Sequence, residues 1–408
     1  MDLKITNNSS ETAYFIVWGF TDTVVIDDAP WSYLEQDGAN SSKLTALPTP
    51  PAKVEGAVKS NVDLLTQLDP GGSVEFKNVP HIISGNILIS FKERPKLFAV
   101  VPAWDDDKKK TGNTKKTTIP EHGGWGVQSP GFNSGDLDAD TIFCSSEFTL
   151  DDSGVWADTT NVDYFAAPIS VEVNGSAGKQ TSGTLNAGVS RDDVFNSFSG
   201  ITGNHLSGFN NLVMTSASGN VRVLAPGHLI PKALPTDYFD SYVDHCLAMY
   251  TASNSLTVNV GGEFAGTYLG TADTANRKIT FVDQSNNAAV GLLNIPKNTA
   301  QDIFLCNGAL SAPNNTIGAI TAVICAALNR TVLHKSATQP YCNHADFYST
   351  TDESQSWWAT NWYSKLLHDN IGKVYGFAFD DVCNGSTYKP LLHDPNPTSA
   401  SISLDSWT

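Results

Sequence analysis

The spacing of apolar residues changes twice along this chain, and that change limits the folds open to it. From residue 1 to about 175 the apolar residues fall in short alternating or continuous runs: LKITN, AYFIVWGF, SVEFKNV, GNILISF and KLFAVVP. Gly, Pro, Asn and Asp separate them. That is strand spacing, with successive side chains on opposite faces. The segment between about 36 and 60 is rich in Pro, Ala and Lys and reads as loop. Near 176 a small-residue connector, GSAGKQTSG, precedes a change to helical spacing. Ser190 with Asp193 has the form of a capped helix start. Tyr238, Phe239, Tyr242, Val243, Cys246, Leu247 and Tyr250 then recur at helical intervals. So do Ile317, Ile320, Ile324 and Leu328, and finally Trp358, Trp362 and Leu366 before a stop at Gly372. Strand-like runs at 256–260 and 278–282 lie among them, and strand character returns in KVYGFAFDDV and TSASISLDSW. The expected fold class is mainly β with an α/β insertion. Residues 1–175 and 372–408 form a β domain, and 176–371 form a mixed α/β domain. A chain of 408 residues suits two such cores better than one.

Charge narrows the partners. The formal net charge is 25 − 42 = −17, which disfavours nucleic acid and acidic lipid. A neutral polymer such as a polysaccharide remains compatible, and plain solubility is the simpler reading of the same charge. The one basic run, Lys108 to Lys110 with Lys115 and Lys116, follows Asp105 to Asp107 and reads as a solvated loop. No apolar stretch of about 18 residues is present, so no membrane span is expected. The start, MDLKITNNSS, is not a signal peptide, which leaves a secreted protein without its leader or a cytoplasmic one. Six cysteines, at 144, 246, 306, 325, 342 and 383, show no metal spacing. Cys306–Cys325 and Cys342–Cys383 are plausible bridges, and Cys246 falls on an apolar helix face as a buried thiol. Asn8, Asn40, Asn174, Asn314, Asn329 and Asn384 head glycosylation sequons, common by chance in a chain this rich in Asn, Ser and Thr. His81, His122 and His228 show no ligand spacing and read as satisfied histidines. No metal or cofactor is expected.

The segment with the most chemistry is 143–173, FCSSEFTLDDSGVWADTTNVDYFAAPISVEV. In a strand Ser145, Glu147, Thr149 and Asp151 share one face, with Phe148 and Leu150 on the other. DDSGVWADTT reads as a turn, and Asn161 and Asp163 share a face of a return strand. If paired residue numbers sum to about 310, Glu147 lies near Asp163 and Thr149 near Asn161, with Trp156 at the turn. Two carboxylates so placed split into a proton donor and a base, the pair a glycosidase needs. Trp156 offers a face for a sugar ring, and Thr149, Asp151 and Asn161 offer groups for its hydroxyls. From pattern alone an acidic strand face is more often simply solvated. The tryptophans at 357, 358 and 362 fall on a helix, where core packing outweighs sugar stacking.

The motifs E-F-T-L at 147–150, N-V-D-Y-F at 161–165 with Pro168-Ile169, and YGFAFDDV at 375–382 resemble thaumatin-like barrels. CNGAL at 306–310, CAALNR at 325–330, Asn361 with Tyr363 and His368, and DPNPTSASISL at 394–404 resemble glycoside hydrolase family 64, the laminaripentaose-producing β-1,3-glucanases. The resemblance implies a thaumatin-like β-barrel or sandwich, a mixed α/β domain and a groove between them for β-1,3-glucan. It implies Glu147 as general acid, Asp163 as general base and an inverting mechanism. Thr149, Asp151 and Trp156 fall on substrate contacts, and Asp380 and Asp381 on an acidic pair lining the groove. It implies a secreted, monomeric enzyme whose partner is the polysaccharide. Asp151 stands where an amide is expected, and the insert at 105–116 has no counterpart. The alternatives are a thaumatin-like protein that binds β-1,3-glucan without turnover and a secreted protein whose acidic cleft meets a protein partner.

Overall fold

The computed structural model describes residues 1–20, 32–46, 60–61, 64–95, 98–100, 126–201, 208–335, 343–382 and 389–407. The charged insert at 105–116, His122, Cys342, Cys383 and Asn384 lie outside them. Two compact units emerge: Met1–Thr160, Ala166–Thr184 and Leu391–Thr408 in the first, Asn161–Phe165 and Leu185–Pro390 in the second. The division thus runs at 185 and 391, where the spacing alone suggested 176 and 372. Two local causes account for the difference. The presumed connector is a strand, Gly178–Ser182, folded back on Ile169–Gly175. The run YGFAFDDV is a series of turns inside the second unit rather than a strand.

The first unit holds a five-stranded and an eight-stranded sheet. In the five-stranded one, Asp2–Asn7 lies parallel to Pro397–Leu404 and antiparallel to Ser73–Phe76. Leu3, Ile5, Val171, Val173, Ile402 and Leu404 all turn inward from it, as strand alternation requires. The eight-stranded sheet runs Leu392–Asp394, Gly154–Thr160, Ile142–Asp151, Ile82–Phe91, Ala13–Phe20, Ser32–Gln36 and Ser42–Ala46, with Thr66–Leu68 also on Ala13–Phe20. The two sheets pack face to face: Phe15 of one meets Phe76 of the other edge-on, centroids 6.3 Å apart. Ser42–Ala46 lies inside the stretch 36–60 read above as loop; its pairing with Ser32–Gln36 decides otherwise. Asp394 ties the two sheets' ends together. Its buried carboxylate accepts from the Ala177 amide at 2.7 Å, the Asn396 amide at 2.8 Å and the Ser176 amide and hydroxyl at 3.1 Å. Burial alone would raise its pKa; these donors outweigh that and hold it below the usual value.

The second unit mixes a four-stranded meander, Leu256–Val260 through Ala289–Asn294, with a three-stranded sheet and five α-helices among the described residues. The Ser190 cap forms as read, with Ser190 and Asp193 bonding reciprocally at the head of Arg191–Ser199. Helix Thr316–Asn329 is buried almost all round, at the centre of an apolar cluster. The last helix spans only Trp362–Asn370, so Trp358 precedes it, and the chain becomes extended at Ile371 before Gly372. Cys306 and Cys325 are buried free thiols rather than a bridge, and Cys246 is a buried thiol too. The Asn329 amide reaches both Cys306 and Cys325, and both thiols turn to the Ile303 carbonyl. Burial pushes the Cys325 thiol well up. Among the described residues no helix is long and apolar enough to cross a membrane, and no group of three or more His, Cys, Asp or Glu is placed to hold a metal.

Asp380, expected on a groove, is instead fully buried in this unit. Its carboxylate meets Arg330 at 3.0 Å, His368 Nε2 at 2.8 Å and the Gly376 amide at 2.8 Å. The Arg330 guanidinium also bonds the Asp380 carbonyl at 2.7 Å and the Val382 carbonyl at 3.0 Å. The turns of 375–382 are thereby wrapped around one arginine, and the correction has a plain cause: the charge is needed inside to balance that arginine. Asp381 is partly exposed. Burial alone would raise the Asp380 pKa, but His368, Arg330 and the Gly376 amide hold it below its ordinary 3.8. Its stabilising effect is complete above that unfolded value and is lost as pH falls through the depressed folded one. Asp380→Asn is therefore expected to cost about 3–5 kcal/mol at pH 7 by leaving the arginine uncompensated. Urea midpoints for the two proteins should converge as pH is lowered below 3.8; a gap unchanged by pH would remove this account.

Candidate active site

The hairpin at the centre of the sequence argument forms, but in a different register. Strand Ile142–Asp151 turns directly into Gly154–Thr160, with Glu147 opposite Asp158, Thr149 opposite Trp156 and Asp151 opposite Gly154. Paired numbers therefore sum to 305, not 310. The turn is only Asp152-Ser153. Asp151 Oδ1 accepts from the Ser153 amide at 2.8 Å and its hydroxyl at 2.5 Å, an Asx turn. Gly154 leaves it at φ +106°, where a Cβ would run into the Asp394 carbonyl. The segment VWADTT, read above as turn, is the return strand.

This register corrects three expectations. Trp156 stands mid-strand, not at a turn. The Asp151 carboxylate, expected on the substrate, is bonded into the turn; the Ser153 hydroxyl, foremost, holds its carboxyl below the usual range. Asp163 does not lie across the hairpin from Glu147 but beyond its end, in the second unit. The carboxylate opposite Glu147 is Asp158, which the sequence reading passed over.

Glu147, Thr149, Trp156 and Asp158 line a cleft of about 470 Å³ in the first unit. Glu147 is exposed, and Asp158 is 9% exposed. One register line crosses four strands here: Asp158, Glu147, Asn86 and Trp18 are successive partners. All four line the cleft. The Trp156 ring lies flat against His393, its strand partner, with centroids 3.7 Å apart and planes 17° from parallel. Its Nε1–H donates to the Ser153 hydroxyl at 3.3 Å. The indole is thus set in one orientation, with the turn at its edge and an imidazole on one face.

Asn161 and Asp163 belong to the second unit, held there by backbone. The Asn161 amide donates to the Tyr375 carbonyl at 3.0 Å, and the Tyr363 hydroxyl donates to the Asn161 carbonyl at 2.6 Å. Tyr164–Phe165 pairs with Gly219–Leu224, and the Ala225 amide donates to the Asp163 carbonyl at 2.8 Å. Asn161 is 8% exposed, so it sits in the support of the segment. The Asp163 side chain is 50% exposed, and His228 Nε2 lies 2.7 Å from its Oδ1. His228, read as a satisfied histidine, has a carboxylate as its partner. Nothing in the sequence pairs residues 65 apart; only the tertiary fold does.

Comparison with known proteins bears on this arrangement. A family model described as Beta-1,3-glucanase, of glycoside hydrolase family 64, matches residues 1–404. A glucan endo-1,3-beta-glucosidase of Arthrobacter sp. (strain YCWD3) is 30% identical over 287 residues, 69% of this chain and 48% of that protein. One from Cellulosimicrobium cellulans is 31% identical over 287 residues, with the same shares. The chain therefore spans about half the length of the curated relatives it matches. The crystal structure of a laminaripentaose-producing beta-1,3-glucanase in complex with laminaritetraose is similar with a TM-score of 0.78 at 27% identity, covering 100% of this chain and 99% of that one. With the family model matched from residue 1 to 404, this chain belongs to the β-1,3-glucanases of glycoside hydrolase family 64.

Proposed function

We propose that the chain cleaves β-1,3-glucan internally by acid–base hydrolysis, with Glu147 as the acid and Asp163 as the base. The observation that carries this reading is Glu147 itself: an exposed carboxyl on the floor of a cleft lined by Trp156 and Thr149, in a chain of this family. Trp156, with an imidazole behind its ring, suits a sugar face, which packs on aromatic planes through its C–H groups. Thr149 offers a hydroxyl beside it. Asp158, the strand partner directly opposite Glu147, adds a second carboxylate to the cleft lining.

In this mechanism Glu147 gives its proton to the glycosidic oxygen as the bond from that oxygen to C1 breaks. Asp163 takes a proton from a water whose oxygen bonds to C1 from the opposite face. One water is consumed and the new reducing end has the α configuration. Inversion, laminaripentaose as the product and a thaumatin-like identity for the first unit rest on the motif resemblance. So does the assignment of Asp163. A polymeric substrate places the work outside the cell, which agrees with the expected secretion. No cofactor enters this scheme.

Three outcomes test the reading. Glu147→Gln and Asp163→Asn should each lower kcat on laminarin by about 10²–10⁴-fold, the usual contribution of a positioned acid or base. Binding of insoluble glucan should persist in both. A wild type that binds insoluble glucan and releases no sugar would point to the binding-only alternative. Proton NMR of the first products should show the α-anomer and chromatography a discrete pentasaccharide; β-anomer at early times would replace inversion by retention. Trp156→Ala should raise KM more than it lowers kcat, and a KM equal to wild type would remove the ring from the substrate site.

A further inference from the structure

We propose that His228 is a positioning residue for Asp163, fixing the carboxylate from which the base works. The inference rests on the assignment of Asp163 above and goes beyond it, because nothing in the motif resemblance involves His228. Its grounds lie within the second unit. Nε2 of His228 is 2.7 Å from Asp163 Oδ1, the length of a charge-assisted hydrogen bond. With the carboxylate ionised, Nε2 carries the proton and donates it. One carboxylate oxygen, Oδ1, is thus anchored, on a side chain that is 50% exposed.

The anchor is itself built in. His228 lies in the short 3₁₀ turn Pro226–Leu229, directly after the strand Gly219–Leu224 that pairs with Tyr164–Phe165. Its amide donates to the Ala225 carbonyl at 3.1 Å, while the Ala225 amide donates to the Asp163 carbonyl at 2.8 Å. One strand end therefore grips Asp163 by its backbone and, three residues later, by its side chain. Helix Ala300–Leu305 backs the turn. Gln301 donates to the Gly227 carbonyl at 3.2 Å, and a Cβ at Gly227 would run into Leu305. The imidazole is 20% exposed against 50% for Asp163. The histidine is thus the fixed partner, and the carboxylate the one that needs fixing. A free aspartate at a half-exposed position samples several χ1 and χ2 wells, and a base displaced by about 1 Å can lose about 100-fold in rate.

The test uses the full chain and laminarin. His228→Ala should lower kcat by about 10–100-fold with KM within about threefold, as misplacement of a base requires. His228→Gln should recover much of the loss, because its side-chain amide can stand where the imidazole Nε2–H stands. His228→Phe fills the ring volume without a donor and should stay as low as the alanine variant. In an Asp163→Asn background, His228→Ala should have no further effect, since a residue that acts through another is silent once that other is gone. Circular dichroism and thermal unfolding establish that each variant is folded; Gln and Phe keep the ring's bulk should alanine not fold. Wild-type kcat in His228→Ala, equal rates in the Phe and Gln variants, or a full further loss in the Asp163→Asn background would each overturn the proposal. Should Asp163→Asn keep wild-type kcat, the base assignment beneath it fails. Should Asp163→Asn lose its activity while His228→Ala keeps wild-type kcat, the positioning role alone fails.

Discussion

The two-residue turn at Asp152-Ser153 is the constraint on which the first unit's cleft depends. Side chains on a strand alternate strictly, so a slip of one residue would exchange the cleft face for the core face along a whole strand. Two devices prevent it. Asp151 locks the turn through Ser153, and Gly154 takes a backbone angle closed to other residues. From that pin follow Glu147 opposite Asp158, Thr149 opposite Trp156 and, one strand further, Trp156 on His393. Asp151 is thus far from idle: its carboxylate sets the register that aims the others.

The second unit solves a different problem. Residues 161–165 have almost no sheet of their own and depend on neighbours for position. Tyr363 and Tyr375 grip Asn161, and Ala225 grips Asp163. Tyr363 is placed by its helix, whose cap Asn361 accepts from the Ser364 amide at 3.1 Å and donates to Asn329 at 2.8 Å. Tyr375 belongs to the turns wound about Arg330 and Asp380. Motifs scattered across the sequence thus converge on one short segment, mostly through hydrogen bonds that no substrate need touch.

Much of this was readable in advance, for stated reasons. AYFIVWGF and LTVNV follow strand spacing and form strands; Ser190 and Asp193 carry a local capping signal and form the cap. What failed depended on contacts far apart in the chain. YGFAFDDV alternates like a strand, yet a buried arginine pulls it into turns. GSAGKQTSG has a linker's composition, yet it pairs as a hairpin arm. The hairpin register failed more narrowly: D-D-S-G is a recognised tight-turn signal, and giving it priority over a longer turn would have placed Asp158 beside Glu147. Of the residues lining the cleft, Glu147, Thr149 and Trp156 were named from face and motif. His228, His393, Asn86 and Trp18 carry no local signal, because each gains its neighbour only when distant strands meet.

The parallel pairing of Asp2–Asn7 with Pro397–Leu404 has a consequence for the order in which the protein forms. The strand Asp2–Asn7 is made long before its parallel neighbour, since Asp2 pairs with Ser399. Until then its partner among the described residues is Ser73–Phe76. The bulk of the second unit, by contrast, is one unbroken stretch, Leu185–Pro390, available to fold as soon as it leaves the ribosome. Contacts of such long sequence separation form late. On the ribosome the stretch 185–390 is therefore made before Pro397–Leu404 emerges, and the Asp2–Asn7 strand waits for its parallel neighbour until it does.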